Sequence, residues 1–253
     1  SDFYVGDYVR LAADNPSVLA MVESLRADRP RGSDPEEGGA AYIYRDGIKS
    51  AMEDEEEARF LTMALAGRAA NVAPLLARAA LLEDSELLLD VAAGSGIYSV
   101  ALLQANPGLR AIAWERPEVV KVALELAGEY ALGGRLECVS ADMFVDEVPP
   151  GVDAILLSNV LHDWDVRECR GLVTRLAASL PSGGKLLVHD VFLNDELDGP
   201  LPIALYSAAL FSLTEGRAYS AAEYRSWMEE AGLEPGEITP TLVHCGVLTG
   251  VKV

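Results

Sequence analysis

The sequence predicts an α/β protein whose mostly parallel sheet is covered by helices on both faces. Strand-like apolar runs alternate with helix-periodic segments from about residue 85 to the end of the chain, and half of the 253 residues are hydrophobic. Such alternation produces a parallel sheet, because each strand returns through a helix that packs on the sheet. We therefore expect one large domain at 85–253, preceded by a helical segment at 1–84.

The individual elements follow from the spacing of apolar residues. Spacings of three and four predict two helices within 1–29, separated at Asn15-Pro16-Ser17, and a long helix from about Ile48 to Leu82 that bends at Pro74. A Pro- and Gly-rich loop at 29–39 separates these helices. Beyond them we predict strands near 87–91, 110–114, 135–139, 152–158, 184–190 and 244–252, and helices near 97–105, 117–130, 166–180 and 220–231.

Composition limits the partners of the chain. The formal net charge of −20 disfavours nucleic acids and anionic membranes, since phosphate binding requires Lys and Arg. Three widely spaced cysteines without a CxxC pair are typical of a reduced, intracellular protein. We find no apolar run of membrane-spanning length and no secretion signal, so we expect a soluble, cytoplasmic protein. The chain begins without Met, and we expect it to be part of a longer protein.

The segment LLLDVAAGSG (87–96) is the centre of the predicted fold. An apolar strand runs into Asp90, a turn with Gly94 and Gly96 follows, and a helix begins after it. This pattern fits a dinucleotide fingerprint, a loop that binds S-adenosylmethionine (SAM), or a turn without a ligand. Ser99 stands where the dinucleotide fingerprint needs a third Gly. Asp90 would repel a pyrophosphate but attract a sulfonium and an ammonium, which favours SAM.

Two further strands end in acidic residues. Glu115, nineteen residues after Gly96, ends the second strand and can accept hydrogen bonds from ribose hydroxyls. Asp142 follows the third strand and can accept from an adenine amino group, with Met143 or Phe144 against the ring. Because the carboxyl ends of parallel strands share one edge, these acids are expected to face one crevice.

The fourth and fifth strands end near His162 and Asp190. A neutral imidazole beyond a strand end can remove a proton from a hydroxyl near neutral pH, and a carboxylate can hold its tautomer. Strand alternation alone leaves open whether His189 or Asp190 points into the crevice. The histidines have no HxH or HxxxH spacing, so we predict no structural metal, although a catalytic metal at His162 and Asp163 remains an alternative.

These motifs together resemble the caffeic-acid-type small-molecule O-methyltransferases and their bacterial natural-product relatives. The match runs from about Leu87 to Val253, and its most specific segments are LLLDVAAGSG, SADMF, LSNVLHDWDVREC and SGGKLLVHDVFL. The resemblance implies a Rossmann-like, SAM-dependent methyltransferase fold with a mostly parallel seven-stranded sheet, its last strand antiparallel. It also implies a cytoplasmic homodimer that forms through an N-terminal domain outside this chain.

The strand-end residues and the resemblance together assign roles to individual residues. His162 would be the general base and Asp190 its orienting acid. The residues assigned to SAM, which becomes S-adenosylhomocysteine, are Asp90, Gly94, Gly96, Glu115, Arg116, Asp142, Met143, Phe144, Ser158 and Trp164. The residues assigned to the methyl acceptor are Phe60, Met63, Asp163, Tyr206 and Phe211.

One departure from the family pattern keeps several functions open. Plant members carry a second glutamate beside the catalytic histidine, and here Ala218 occupies its place. The expected reaction is methylation of a hydroxyl on a small aromatic or polyketide-like natural-product intermediate. C-methylation of an enolisable substrate and a SAM-binding protein that does not methylate are the nearest alternatives. A nicotinamide-dependent oxidoreductase and a non-enzymatic module that uses the acidic run at 53–57 are more distant ones.

Overall fold

The computed structural model describes residues 16–27, 50–211, 213–242 and 244–253. Helix α1 is Pro16–Ala27, the second of the two helices predicted near the start; the first helix and the loop at 29–39 lie outside the described residues. A short 3-10 turn at Ala51–Glu53 precedes α2, Glu55–Ala79. Asp54 caps α2 by accepting from the backbone N–H groups of Glu56 and Glu57, so the helix begins later than predicted.

Strands and helices then alternate as the sequence predicts. They are β1 Leu87–Val91, α3 Ile97–Ala105, β2 Arg110–Glu115, α4 Pro117–Gly128, β3 Leu136–Ser140, β4 Ala154–Ser158, α5 Val166–Ser179, β5 Lys185–Leu193, α6 Leu201–Leu210, β6 Tyr219–Ser220, α7 Ala221–Glu230, β7 Leu233–Pro240 and β8 Cys245–Lys252. A second 3-10 turn, Leu161–Asp163, follows β4. Three elements, α6, β6 and β7, were not predicted from periodicity.

The strands form one sheet in the order β3-β2-β1-β4-β5-β8-β7, and β6 pairs with β5 beside it. Strands β1 to β5 pair in parallel, whereas β8 is antiparallel to both β5 and β7. The expected fold class, a mostly parallel sheet of seven strands whose last strand is antiparallel, is confirmed. Because the strand order reverses between β1 and β4, a crevice opens at their carboxyl ends, where ligands of such sheets bind.

The sheet is buried on both faces. Leu88 of β1 lies in the hydrophobic core formed with α2 and α3, and Leu89 lies in the core formed with α5 and α7. The C-terminal half of α2 contributes Leu76 to the first core, so this helix and the sheet share one hydrophobic core. The division of the chain at residues 84 and 85 remains a prediction.

Helix α2 runs without interruption through Pro74, where the sequence predicted a bend. By length and composition alone it is the one helix of the described ranges that could span a membrane. Its buried residues recur every three or four positions, which is typical of a helix that packs one face against a protein core. Its contacts with α3 and α4 account for that face.

Candidate active site

The turn after β1 is held by the acid at the end of β2. Glu115 Oε2 accepts from the backbone N–H of Gly94 at 2.9 Å, and Oε1 accepts from the N–H of Arg116 at 2.8 Å. Gly94 and Gly96 have φ of +57° and +73°, values that favour glycine, and Gly96 is the N-cap of α3. Burial raises the pKa of Glu115, while the two N–H groups oppose this rise. The carboxylate thereby fixes the shape of the turn.

Asp90, at the base of the same turn, is almost completely buried. Its Oδ2 accepts a hydrogen bond of 2.7 Å from the hydroxyl of Ser99. Burial raises the pKa of Asp90 to about 7, although the Ser99 hydrogen bond opposes the rise. From the sequence, Ser99 mattered only because it stands where a dinucleotide-binding motif needs a glycine. The structure shows it as the partner of Asp90, and no sequence pattern indicated that role.

The third strand end supplies the opposite wall of the crevice. Asp142 Oδ1 accepts from the backbone N–H of Phe144 at 2.8 Å, which closes a tight turn. The ring of Phe144 meets Trp164 edge to face, with centroids 4.5 Å apart. The backbone carbonyl of Met143 accepts from Arg175 at 2.7 Å. Aromatic rings and a carboxylate thus lie together at this end of the crevice.

The crevice is a cavity of about 750 Å³, a size typical of small-molecule sites. Ten residues assigned from sequence line it: Asp90, Gly94, Glu115, Arg116, Asp142, Met143, Phe144, Ser158, Asp163 and Trp164. Thr62, Arg68, Tyr98 and Asn159 also line it, and the sequence analysis missed them. Among the residues that the structure describes, the buried Thr62 hydroxyl and Asp163 Oδ1 have no hydrogen-bond partner, and a polar ligand would supply one.

His162 and Asp190 form a buried pair beside this cavity. Nδ1 of His162 lies 2.8 Å from Asp190 Oδ1 and 3.0 Å from Oδ2. Burial disfavours the imidazolium, but the carboxylates of Asp190 and Asp163 outweigh it and raise the pKa of His162 to about 9. The other ring nitrogen, Nε2, lies 3.4 Å from the Tyr206 hydroxyl and 3.7 Å from Asp163 Oδ1. His162 itself does not line the cavity, although Asp163 does.

The alternation of β5 separates His189 from Asp190. His189 Nδ1 lies 2.8 Å from the hydroxyl of Ser158, and its Nε2 lies 3.1 Å from that of Thr241. Burial lowers the pKa of His189 to about 4, so this imidazole is neutral near pH 7. Asp190 is the residue of this pair that contacts His162, and neither His189 nor Asp190 lines the cavity.

Four of the residues assigned to the acceptor, Phe60, Met63, Tyr206 and Phe211, do not line the cavity. Phe60 and Met63 are 72% and 44% exposed, because the helical turn of α2 directs Thr62 and Leu65 to the cavity in their place. Phe211 is the half-buried C-cap of α6 and does not line the cavity. Tyr206, from the same helix, reaches His162. The assignment of these four residues to the acceptor stays a prediction.

The segment in which Ala218 replaces a glutamate packs closely on His162. Ala218 is buried, and Tyr224 contributes a hydroxyl 3.3 Å from Asp190 Oδ2. A Cβ on Gly216 would lie 2.6 Å from the backbone nitrogen of Trp164 and would clash with the carbonyl of His162. Among the described residues, no group of three His, Cys, Asp or Glu side chains is arranged to hold a metal.

Comparison with known proteins gives consistent family matches. The model of the O-methyltransferase domain matches residues 36–234. A 3-hydroxy-5-methyl-1-naphthoate 3-O-methyltransferase from Streptomyces sahachiroi is 32% identical over 231 residues, which are 90% of this chain and 64% of that enzyme. An L-tyrosine C(3)-methyltransferase from Streptomyces lavendulae is 33% identical over 156 residues, 61% of this chain and 43% of that enzyme.

A solved structure agrees with these matches. An O-methyltransferase family 2 protein from Planctomyces limnophilus, in complex with apigenin, is 48% identical and superposes with a TM-score of 0.82. The superposition covers 100% of this chain and 71% of that protein. The chain spans less than two thirds of the length of either curated relative. From the domain match over 36–234, the chain belongs to the O-methyltransferase family, whose members depend on S-adenosylmethionine.

Proposed function

We propose that this chain binds SAM in the crevice and transfers its methyl group to a hydroxyl of a small aromatic natural-product intermediate. The observation that carries the proposal is that a glycine turn suited to a cofactor and a buried histidine–aspartate pair lie at the same edge of the sheet. The Glu115-anchored glycine turn lies on one side, and the His162–Asp190 pair lies beside Asp163 on the other. A bound cofactor and a proton acceptor would thus be neighbours.

The residues of the crevice fit SAM. Each oxygen of Glu115 accepts one backbone N–H and can accept a further hydrogen bond, as two ribose hydroxyls would require. Asp142, Met143, Phe144 and Trp164 offer an acceptor and apolar surfaces to an adenine. Asp90 adds a buried carboxylate, which a cationic ligand would keep ionised. When bound, SAM supplies an electrophilic methyl group on a positively charged sulfur.

The remaining residues would orient the acceptor and move its proton. Asp190 holds Nδ1 of His162, so Nε2 is the nitrogen that can take the proton of an acceptor hydroxyl. Asp163 Oδ1, buried and without a hydrogen-bond partner in the described part of the chain, can accept from a second polar group of the acceptor. The acceptor oxygen would replace the Tyr206 hydroxyl beside Nε2. The chain thereby contributes chiefly orientation and proton removal.

C-methylation is the second candidate. It is supported by the L-tyrosine C(3)-methyltransferase among the relatives and by Ala218 in the place of the second acid. The same His162 would then deprotonate a phenol hydroxyl, which makes the neighbouring ring carbon nucleophilic. That carbon would take the methyl group and release its own proton, which restores the aromatic ring. The position of the transferred methyl, determined by NMR of the product, distinguishes the two reactions.

The proposal also includes a homodimer of the whole protein. Helix α1 exposes four apolar side chains, Val18, Leu19, Val22 and Leu25, a pattern that supports contact with a further protein surface. Sedimentation analysis of the chain and of a longer form that covers the full length of the relatives would test this. A monomer in both forms would contradict it.

Calorimetric titration with S-adenosylhomocysteine and, separately, with NAD tests the cofactor. We expect binding of S-adenosylhomocysteine alone, with a large loss of affinity in Glu115→Ala. Binding of NAD would favour an oxidoreductase, and binding of neither ligand would contradict the proposal. Transfer of the methyl from labelled SAM to hydroxynaphthoates then tests the reaction.

A further inference from the structure

Arg68 is a cation of the crevice whose charge no described carboxylate neutralises. It lies on α2 one turn after Leu65, and both residues line the cavity. The other arginine of the cavity, Arg116, pairs with Glu53 at 3.2 Å. Within the ranges that the structure describes, Arg68 belongs to none of the ion pairs.

Arg68 lines the same cavity as Asp163, the residue that follows His162 in the chain. Helix α2, which carries Arg68, contacts β8, the strand that pairs with the end of β5. Asp163 Oδ1 lies 3.7 Å from Nε2 of His162. Arg68 therefore shares its cavity with a residue that lies beside the His162–Asp190 pair.

The rest of the crevice would repel an anion. Asp90, Glu115, Asp142 and Asp163 all line it. A ligand that carries a carboxylate therefore needs a compensating cation near the point where that carboxylate lies. An arginine suits this role, because its planar guanidinium can donate two parallel hydrogen bonds to a carboxylate.

We infer that Arg68 binds a small-molecule carboxylate in this crevice, an inference that rests on the proposed function. Two ligands of the proposed reaction offer this group. One is the amino-acid portion of SAM, and the other is an acceptor of the hydroxyarenecarboxylate class, the class methylated by the naphthoate enzyme among the relatives. The shared chemistry is a carboxylate held by a guanidinium, and the two sources are separable by experiment.

The test compares ligands with and without the carboxylate on the purified chain and its variants. S-adenosylhomocysteine is paired with 5′-methylthioadenosine, which lacks the amino-acid portion. In the presence of S-adenosylhomocysteine, 3-hydroxy-1-naphthoate is paired with 2-naphthol. The variants are Arg68→Gln and Arg68→Lys. Arg59→Gln is the matched control, since Arg59 lies on the same helix, pairs with Glu125 and does not line the cavity.

Arg68→Gln should weaken one carboxylate ligand roughly 10- to 100-fold, as expected for loss of a charged hydrogen-bond partner. Its partner without the carboxylate should bind as before, and Arg68→Lys should restore part of the affinity. Loss for S-adenosylhomocysteine identifies the cofactor as the source, and loss for the naphthoate identifies the acceptor. If neither carboxylate ligand loses affinity, or if each pair weakens equally, the inference is overturned. A wild-type chain that binds neither adenosyl ligand would instead refute the proposed function.

Discussion

Nδ1 of His162 lies 2.8 Å from Asp190 Oδ1, a contact that joins the segment after β4 to the neighbouring strand β5. An ionised carboxylate has no proton to donate, so Nδ1 is the donor and Nε2 is left for proton transfer. Val191 N–H and the Tyr224 hydroxyl also donate to Asp190, at 2.8 and 3.3 Å. These contacts fix the carboxylate, and through it the orientation of the imidazole.

Removal of the imidazole should abolish turnover and leave cofactor binding intact. His162→Ala should lower kcat by about 10²- to 10⁴-fold, the usual contribution of a general base. Asp190→Asn should also lower kcat, because an amide can donate to Nδ1 and so favours the wrong tautomer. Rates with labelled SAM and calorimetric affinities for S-adenosylhomocysteine measure the two effects. Equal loss of turnover and binding in His162→Ala would contradict the assignment as base.

The pKa of His162 should depend on the charge of the bound ligand. In the ligand-free chain the carboxylates raise it to about 9, so the imidazole is protonated near pH 7. The sulfonium of SAM would repel the imidazolium and lower this pKa, which produces more of the neutral base. S-adenosylhomocysteine carries no sulfonium and should lower the pKa less. NMR titration of the histidine with each ligand measures the difference, and identical shifts would contradict this coupling.

The carboxylate of Glu115 should be necessary for cofactor affinity. Glu115→Gln keeps the size of the side chain but directs an NH₂ donor at the N–H of Gly94 or Arg116. We expect a roughly 10- to 100-fold weaker Kd for S-adenosylhomocysteine, because a charged acceptor is lost and two donors repel. Glu129→Gln, at the C-cap of α4, is a control outside the cavity. Unchanged affinity in Glu115→Gln would rule out its role at the turn.

Ionisation of the buried Asp90 carboxyl group should lower the free energy of unfolding of the ligand-free chain at high pH. Burial raises its pKa from 3.8 to about 7, so the folded state retains a proton that the unfolded chain releases within this window. Stability therefore falls as the pH rises through the window. Asp90→Asn keeps an acceptor for Ser99 and should raise the free energy of unfolding by up to about 4 kcal/mol near pH 8, and much less near pH 4. Urea unfolding at both pH values tests this, and a pH-independent effect would contradict it.

A side chain at position 216 should disturb the catalytic segment. The Cβ of Gly216→Ala would lie 2.6 Å from the Trp164 nitrogen and would meet the His162 carbonyl, so this backbone must move. We expect a loss of turnover of about tenfold or more, since small displacements of catalytic groups are costly. Gly171→Ala in α5, where a Cβ meets nothing within 4 Å, should leave turnover unchanged. Equal activity of both variants would show that the segment tolerates the displacement.

Periodicity did not reveal strand β7 or helix α6, for a different reason in each case. Strand β7 lies at the edge of the sheet and contains Pro235 and Gly236, with a register shift before Ile238. Proline and glycine are tolerated at such an edge, but they remove the strand pattern from the sequence. Helix α6 is apolar nearly all round, so no polar face reveals its period.

The sequence by itself determined the residues at the strand ends, because parallel strands bring Asp90, Glu115, Asp142 and His162 to one edge wherever the strands begin. It could not determine which side chains face each other across that edge. Three features depend on how the helices are rotated and how the strands are staggered. Asp190, and not His189, pairs with His162, and Ser99 donates a hydrogen bond to Asp90. Helix α2 exposes Phe60 and directs Arg68 to the cavity. Contacts between residues far apart in the chain decide the rotation and the stagger, and only the tertiary structure contains them.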